Sequence, residues 1–298
     1  MDYWLHIIIL VCIYGCLAMS LDLLAGHTGL LSMAHSAFFG TGAYVAAGLS
    51  TWHNCSFAMS SCAAIGSAGI LSLLLAVPLL HFRSNLFVIV SYAFQLVMMD
   101  IFRNVTAITN GSIGISNIPS VEAFGVTFNT PARFLTMLVV PLTILVCVMR
   151  AIVGSPFGRV LHIIREDEVY AASLGKNVAS TKIKVFTVSA MIAGACGSLF
   201  AHYMSYIDPS SFSVSESMLL FSIVVVGGPA SRGGVILGAL ILVGLPEILR
   251  FVGVSGSASA HIRQILFGGF LTILMLYRPN GLIGRYSFGN RTRANEND

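Results

Sequence analysis

The chain has 298 residues, of which 56% are hydrophobic and only 9% are charged, and its mean hydropathy is +0.87. About a quarter of the residues in an average soluble domain are charged, so this composition excludes a soluble globular protein. The net charge of +4 is small and dispersed, which argues against a nucleic-acid partner. The six cysteines lack the spacing of a disulfide framework or a metal site.

Apolar runs of about 20 residues recur along the whole chain, and a helix of that length crosses the roughly 30 Å of hydrocarbon in a bilayer. The sequence therefore predicts an all-α integral membrane protein with about nine transmembrane helices, within a range of roughly eight to ten. The predicted spans are residues 3–24, 29–50, 57–80, 86–106, 133–153, 185–204, 212–226, 234–252 and 262–276.

The basic residues indicate how these spans are oriented. Cytoplasmic loops carry an excess of Lys and Arg, and placing the loop between the fifth and sixth spans inside the cell puts twelve of the 16 basic residues on that side. The twelve are Arg83, Arg150, Arg159, Arg165, Lys176, Lys182, Lys184, Arg232, Arg278, Arg285, Arg291 and Arg293. The N-terminus is therefore predicted outside and the C-terminus in the cytoplasm. Residues 1–284 are predicted to form one polytopic domain, and residues 285–298 a polar cytoplasmic tail.

The stretch SPFGRVLHIIREDEVYAASLG, residues 155–175, interrupts the apolar pattern. Its four consecutive charged residues, REDE, put charge on every face of a helix, so the stretch does not face lipid. Ser155 is a suitable N-cap, Pro156 suits the first helical position and Gly175 is a suitable stop, which together predict one short, exposed helix. The pattern fits either a connector lying on the membrane or a docking surface for a cytoplasmic partner.

The stretch AGHTGLLSMAHSAFFGTGAY, residues 25–44, is crowded with small and polar residues. Small residues within a membrane span indicate either close helix packing or a broken helix whose free backbone groups line a transport pathway. His35 within it is either a hydrogen-bonded packing residue or a group on that pathway. Both alternatives remain open at the level of the residues.

These stretches resemble the permease subunits of branched-chain amino-acid ATP-binding cassette (ABC) transporters, specifically the LivM-like family. Residues 155–184 carry the family's S-P-F-G-R, I-R-E and A-x-x-L-G elements in order. Residues 25–44 carry its G-x-x-G-x-x-S-L-G-H-x-x-F-F-x-x-G-A-Y signature, with Met33-Ala34 where Leu-Gly is usual. Similar agreement at residues 109–119 and 224–250 extends the resemblance over nearly the whole chain.

The resemblance implies a subunit that moves branched-chain or related small amino acids across the bacterial inner membrane. The implied partners are a homologous second permease, two ATP-binding subunits, an extracytoplasmic substrate-binding protein and membrane lipids, with no nucleic acid. The sequence lacks the phosphate-binding G-x-x-x-x-G-K-[ST] loop, so ATP and Mg are expected on the ATP-binding subunits. No cofactor, metal or enzyme activity is expected on this chain. The alternatives are a urea or short-amide ABC permease and an ion-coupled transporter or channel acting alone.

The resemblance also implies two sets of site residues. In this family the loop corresponding to residues 154–184 contains a cytoplasmic coupling helix, between the fifth and sixth spans, that fits into a cleft of the ATP-binding subunit. The predicted ATPase-docking residues are Arg165, Glu166, Asp167, Glu168, Ala171, Ala172 and Gly175. The predicted translocation-pathway residues are Gly29, Ser32, His35, Phe38, Phe39 and Tyr44.

Overall fold

The computed structural model describes residues 2–79, 84–123, 126–251, 268–269, 272 and 281–283. Eleven α-helices occur in these residues, so the predicted all-α character is confirmed for the described part of the chain. The helices are α1 Asp2–Thr28, α2 His35–Trp52, α3 Phe57–Leu79, α4 Ser84–Asn104, α5 Thr106–Thr109, α6 Pro131–Gly154, α7 Pro156–Glu166, α8 Glu168–Ser173, α9 Val178–Met204, α10 Val214–Gly227 and α11 Arg232–Phe251.

Two short antiparallel strand pairs lie in the connections between helices. Strand β1 (Ile115–Ser116) pairs with β4 (Tyr206–Ile207), and β2 (Glu122–Ala123) pairs with β3 (Val126–Thr127). The β1–β4 pair joins the segment that follows α4 to the residues that follow α9, although the two strands are far apart in sequence. The two helices are therefore tied together at this end of the molecule.

Five helices are long and apolar enough to cross a membrane, namely α1, α3, α4, α6 and α9, and each coincides with a predicted span. Helices α2, α10 and α11 occupy three further predicted spans. The ninth predicted span, residues 262–276, lies outside the described residues except for three helical positions. The predicted tail, residues 285–298, lies outside them entirely.

One predicted boundary is wrong. The second predicted span, residues 29–50, is helical only from the start of α2, because residues 29–34 form a non-helical connection after α1. Helix α9 begins directly after Asn177, within the predicted loop, residues 154–184. The side-chain oxygen of Asn177 accepts a hydrogen bond from the backbone nitrogen of Ser180 at 2.9 Å and caps the helix.

Helices α2 and α9 form the centre of the helix bundle. Most residues of α2 are buried, and α2 packs against α3 and α9 along its length. In α1 and α9 72% of the apolar span is buried, whereas in α6 the figure is 11%. Helix α6, which leads directly into the charged stretch, is therefore peripheral in the single chain.

Small residues allow α2, α3 and α9 to approach closely. A Cβ atom added at Gly42 of α2 would overlap the backbone oxygen of Gly194 in α9 and lie 2.5 Å from its Cα atom. A Cβ atom at Gly194 would lie 2.6 Å from the Cβ of Ala68 and 2.8 Å from the backbone oxygen of Ala64, both in α3. Gly42, within the predicted 25–44 stretch, thus serves close helix packing.

Candidate functional site

Helix α7 begins where the sequence predicts. The side chain of Ser155 accepts a hydrogen bond from the backbone nitrogen of Gly158 at 3.4 Å, and Pro156 occupies the first turn. Leu161 and Ile164 are buried, so the apolar face of α7 packs against the bundle. The predicted cap and first residue are therefore confirmed.

The prediction of one continuous helix over residues 155–175 is wrong, because α7 ends at Glu166 and Asp167 has extended backbone angles of φ −152° and ψ 115°. The Asp167 side chain accepts hydrogen bonds from the backbone nitrogens of Val169 at 2.7 Å and Tyr170 at 3.1 Å. Asp167 thus acts as the N-cap of a second helix, α8, and this local hydrogen bonding competes with helix continuation. Residues 155–175 are called the α7–α8 segment below.

The end of the α7–α8 segment agrees with the prediction. Gly175 has a left-handed φ of +73°, and its backbone nitrogen donates to the carbonyl oxygen of Ala172 at 2.9 Å. Nothing lies within 4 Å of a Cβ atom added at Gly175, so the glycine is needed for its backbone angle and not for space. A positive φ strains any residue that carries a side chain.

The predicted ATPase-docking residues differ in how they are exposed. Glu166, Asp167, Ala172 and Gly175 are exposed. Glu168 is also exposed and forms an ion pair of 2.5 Å with Lys182 in α9. Ala171 is buried against the bundle, and Arg165 is only half-exposed.

Three exposed apolar side chains on the same segment are absent from the predicted docking set. Val169 is 79% exposed, Tyr170 is 57% exposed and Leu174 is 49% exposed. The predicted set consists of the segment's charges and small residues. The signal that could have added these three is that apolar residues directly follow the charged run in a segment too polar to enter lipid. All three lie in or next to α8 and are called the exposed apolar patch below.

Helix α7 is attached to the end of α1 through polar side chains. The Arg165 guanidinium donates a hydrogen bond to the backbone oxygen of Gly26. The Nε2 atom of His162 lies 3.2 Å from the Nδ1 atom of His27. Burial and then the neighbouring Arg165 charge lower the pKa of His162, which favours the neutral form of this imidazole. Arg165 therefore faces the bundle as well as the predicted partner side.

The first three predicted translocation residues, Gly29, Ser32 and His35, lie before or at the start of α2. Gly29 has a left-handed φ of +72°, and the Ser32 hydroxyl accepts from the backbone nitrogen of Ala34 at 3.2 Å. His35 is buried, and its Nε2 atom lies 2.9 Å from the hydroxyl of Ser189. Ser189 donates its own proton to the backbone oxygen of Ser20, which makes His35 Nε2 the donor in its contact with Ser189.

The aromatic members of the same set lie in the core. Phe38 and Phe39 are buried, and Phe39 packs against Phe212 with ring centroids 5.3 Å apart. The ring of Tyr44 lies 4.9 Å from that of Phe102. Within the described residues the Tyr44 hydroxyl is buried without a hydrogen-bond partner. The structure thus brings five of the six predicted residues into the interior, while Gly29 lies at the end of α1, beside Arg165.

Two cavities lie at the opposite end of α9 from the α7–α8 segment. The larger, of about 540 Å³, is lined by polar residues that include Ser50, Asn54, Glu122 and His202. The smaller, of about 350 Å³, shares His202 with it and adds His6. The molecule therefore has a polar, open end and a charged, partly apolar end, separated by the length of a membrane-spanning helix.

This arrangement agrees with the comparison of the chain with known families. The model of the family described as "Branched-chain amino acid transport system / permease component" matches residues 3–277. The chain belongs to this family. The permease is thereby a multi-pass membrane protein, in keeping with its five long apolar helices.

Individual relatives of the permease carry names from the same transport system. It is 31% identical over 299 residues to the high-affinity branched-chain amino acid transport system permease protein LivM of Escherichia coli (strain K12), over 92% of this chain and 68% of that protein. It is 28% identical over 196 residues to LivH of the same strain, over 63% of this chain and 61% of that one. A probable LivM of Methanocaldococcus jannaschii is 28% identical over 44% of this chain and 41% of its own length. No solved structure matches the permease.

Proposed function

We propose that this chain is the membrane-spanning permease subunit of an ABC importer that carries branched-chain or related small amino acids across the bacterial inner membrane. The observation that carries the proposal is the family match over residues 3–277, which includes the whole α7–α8 segment. The names of the LivM and LivH relatives supply the substrate class. They favour it over urea or short amides, and over an ion-coupled transporter or channel acting alone.

The proposed topology has nine crossings, with the N-terminus outside the cell and the C-terminus in the cytoplasm. The α7–α8 segment then lies in the cytoplasm between the fifth and sixth spans, and the two polar cavities open to the outside. This orientation is supported by the excess of Lys and Arg on the α7–α8 side.

The α7–α8 segment is proposed to act as the coupling element that docks on an ATP-binding subunit. Val169, Tyr170 and Leu174 form an exposed apolar patch in a segment that does not enter lipid, and such patches mark contact sites for protein partners. Glu166 and Asp167 beside the patch provide charges that fix the orientation of a partner. The proposed docking surface therefore consists of the three apolar residues and the exposed members of the predicted set, Glu166, Asp167, Glu168, Ala172 and Gly175.

The proposed assembly contains a homologous second permease, two ATP-binding subunits and an extracytoplasmic substrate-binding protein. ATP and Mg would be held by the ATP-binding subunits, and this chain would hold no cofactor. In Escherichia coli (strain K12) two proteins carry permease names of one system, LivM and LivH, and this chain is similar to both. That similarity supports a pair of different but homologous permeases.

The translocation pathway is proposed to involve the predicted set at residues 29–44. In the present conformation most of that set is packed in the core, so substrate would reach it only in another state of the transport cycle. The buried Tyr44 hydroxyl, which has no hydrogen-bond partner among the described residues, is the clearest candidate for a group that gains one in that other state.

The proposed function is tested by reconstituting the chain in vesicles with its partner subunits and measuring leucine uptake. Uptake is expected to require ATP, the ATP-binding subunits and the binding protein. Leucine transport by the chain alone would overturn the importer assignment. In the same system Val169→Asp should weaken co-purification of the ATP-binding subunits, while Val169→Ile and the exposed Arg159→Gln should not.

The size of the Val169→Asp effect follows from the exposed side chain. Burying a Val side chain contributes about 1.5 kcal/mol, which corresponds to roughly tenfold in the dissociation constant. Unchanged co-purification and unchanged uptake in Val169→Asp would contradict the docking role and favour a simple connector on the membrane surface.

A further inference from the structure

Asp22 of α1 is a carboxylate buried at the end of a membrane-spanning helix, with an exposed fraction of only 3%. Its Oδ1 atom accepts a hydrogen bond from the backbone nitrogen of Ala230, in the turn between α10 and α11, at 2.8 Å. Its charge lies within electrostatic reach of the guanidinium groups of Arg165 and Arg232. A buried carboxylate is costly unless it is paired and hydrogen-bonded, and here these contacts come from two other parts of the chain.

Gly26 is the point where three elements meet. Its backbone oxygen accepts the hydrogen bond from Arg165 of α7. A Cβ atom at this position would overlap the Asp22 carboxylate and lie 2.6 Å from the backbone nitrogen of Ala230. Only glycine therefore permits α1, α7 and the α10–α11 turn to be in contact at one place.

The α10–α11 turn is held in an unusual conformation. Gly228 has φ +98° and Ala230 has φ +61°, and a positive φ is unfavourable for a residue with a side chain such as Ala230. The hydrogen bond to Asp22 helps to hold Ala230 there. Just before the turn, the carbonyl oxygen of Val226 in α10 accepts a hydrogen bond from the backbone nitrogen of Leu282 at 2.9 Å. A change in the position of Asp22 therefore acts directly on a strained turn.

Arg165 lies in the last turn of α7, whose buried face carries Leu161 and Ile164. The break at Asp167 separates α7 from α8, next to which the exposed apolar patch lies. If a partner displaces the α7–α8 segment, the Arg165 side chain pulls on the carbonyl of Gly26, which lies one helical turn after Asp22 in α1. The contact lies on the path from the docking surface to the membrane helices.

We propose that Arg165, Gly26 and Asp22 form a latch that transmits displacement of the α7–α8 segment to α1 and to the α10–α11 turn. The proposal rests on the proposed function, because it presumes ATP-driven displacement of that segment. Arg165 is then a positioning residue inside the permease, and its main contact is not with the ATP-binding subunit. Coupling of this kind requires an element with two arrangements, here latched and released.

The test uses the complete transporter in vesicles and measures the amount of amino acid moved per ATP hydrolysed. Arg165→Gln should keep co-purification of the ATP-binding subunits and keep ATP hydrolysis within about twofold, while uptake per ATP falls at least about tenfold. Arg165→Lys should restore most of the ratio, since an ammonium group can still donate to the Gly26 oxygen. Arg159→Gln, which removes an equal charge from an exposed position of α7, should match the wild type.

A second readout is hydrogen exchange in a transporter trapped with ATP. In the wild type, trapping should change exchange in the last turn of α1 and in the α10–α11 turn. In Arg165→Gln, trapping should still change exchange in the α7–α8 segment, while the change in the α10–α11 turn is lost. This readout needs only a small amount of assembled complex, so it remains usable if Arg165→Gln accumulates poorly, and Arg165→Lys should behave as the wild type in it.

The outcomes separate the latch from the proposed function. A wild-type complex without ATP-driven uptake overturns the proposed function and the latch with it. A functional wild type combined with an unchanged uptake-to-ATP ratio in Arg165→Gln overturns the latch alone, even if both rates fall together. Loss of the ATP-binding subunits from Arg165→Gln also overturns the latch, because Arg165 would then be a docking residue.

Discussion

Replacing Gly42 by Ala in α2 tests whether α2 and α9 form a fixed core. The added Cβ would overlap the backbone oxygen of Gly194 and lie 2.5 Å from its Cα. Both obstructing atoms belong to the backbone of α9, so no side-chain rotation relieves the overlap. The helices must move apart, and α9 is held on its other side by Ala64 and Ala68 of α3.

The expected magnitude follows from two opposing effects. Overpacking in a well-packed interior costs about 1–3 kcal/mol, and an overlap with backbone belongs at the upper end of that range. Replacing Gly by Ala in a helix returns up to about 1 kcal/mol. Gly42→Ala should therefore lower the free energy of unfolding by about 2 kcal/mol.

Gly66→Ala in α3 is the matched control. Nothing lies within 4 Å of a Cβ atom added there, so only the helix-propensity gain remains and the variant should be neutral or slightly stabilised. Unfolding of the two purified variants would be followed in mixed micelles at increasing denaturing detergent. If Gly42→Ala is as stable as Gly66→Ala, the close contact between α2 and α9 does not exist and the packing role of Gly42 is refuted.

Three further predictions concern the α7–α8 segment and the core. Asp167→Ala should speed hydrogen exchange in α8 about fivefold and leave exchange in α7 unchanged, because a lost N-cap costs about 1 kcal/mol. Exchange in α8 equal to that of the wild type would contradict the cap. The folded-state pKa of His162 lies below its ordinary value, so the melting temperature should fall as the pH drops below about 6.5. His162→Gln should reduce this pH dependence. An identical pH profile in the variant would show that His162 is not its source. Tyr44→Phe removes a buried hydroxyl without a hydrogen-bond partner among the described residues, so the melting temperature should stay the same or rise while the KM of leucine uptake rises severalfold. Unchanged uptake would remove Tyr44 from the pathway.

Much of the helical framework was predictable from the sequence, because hydropathy over about 20 residues reports directly on burial in lipid. The cap at Ser155 and the stop at Gly175 were predictable as well, since both depend on a residue's own chemistry. The break at Asp167 was missed because the same residue type is tolerated within an exposed helix and as an N-cap. Which state prevails depends on whether its side chain bonds to the following backbone.

The sequence predicts which stretches of the chain form the candidate site, but not which residues of those stretches contact one another. The hydrogen bond between Arg165 and Gly26 joins residues 139 positions apart, and that between His35 and Ser189 spans 154 positions. No local pattern encodes such pairs. Arg165 was predicted to face a partner because it belongs to a charged run, and only the packing of α7 on α1 turns its side chain inward.

The pairing of β1 with β4 has a mechanical meaning. Helix α9 is held near one end by the Glu168–Lys182 ion pair with α8 and at the other end by this strand pair. At 1.5 Å per residue its 27 residues form a rod about 40 Å long, so a tilt of about 5° about one end moves the other by about 3.5 Å. Because β1 lies in the connection that follows α4, such a movement would be passed through the strand pair to the C-terminal end of α4.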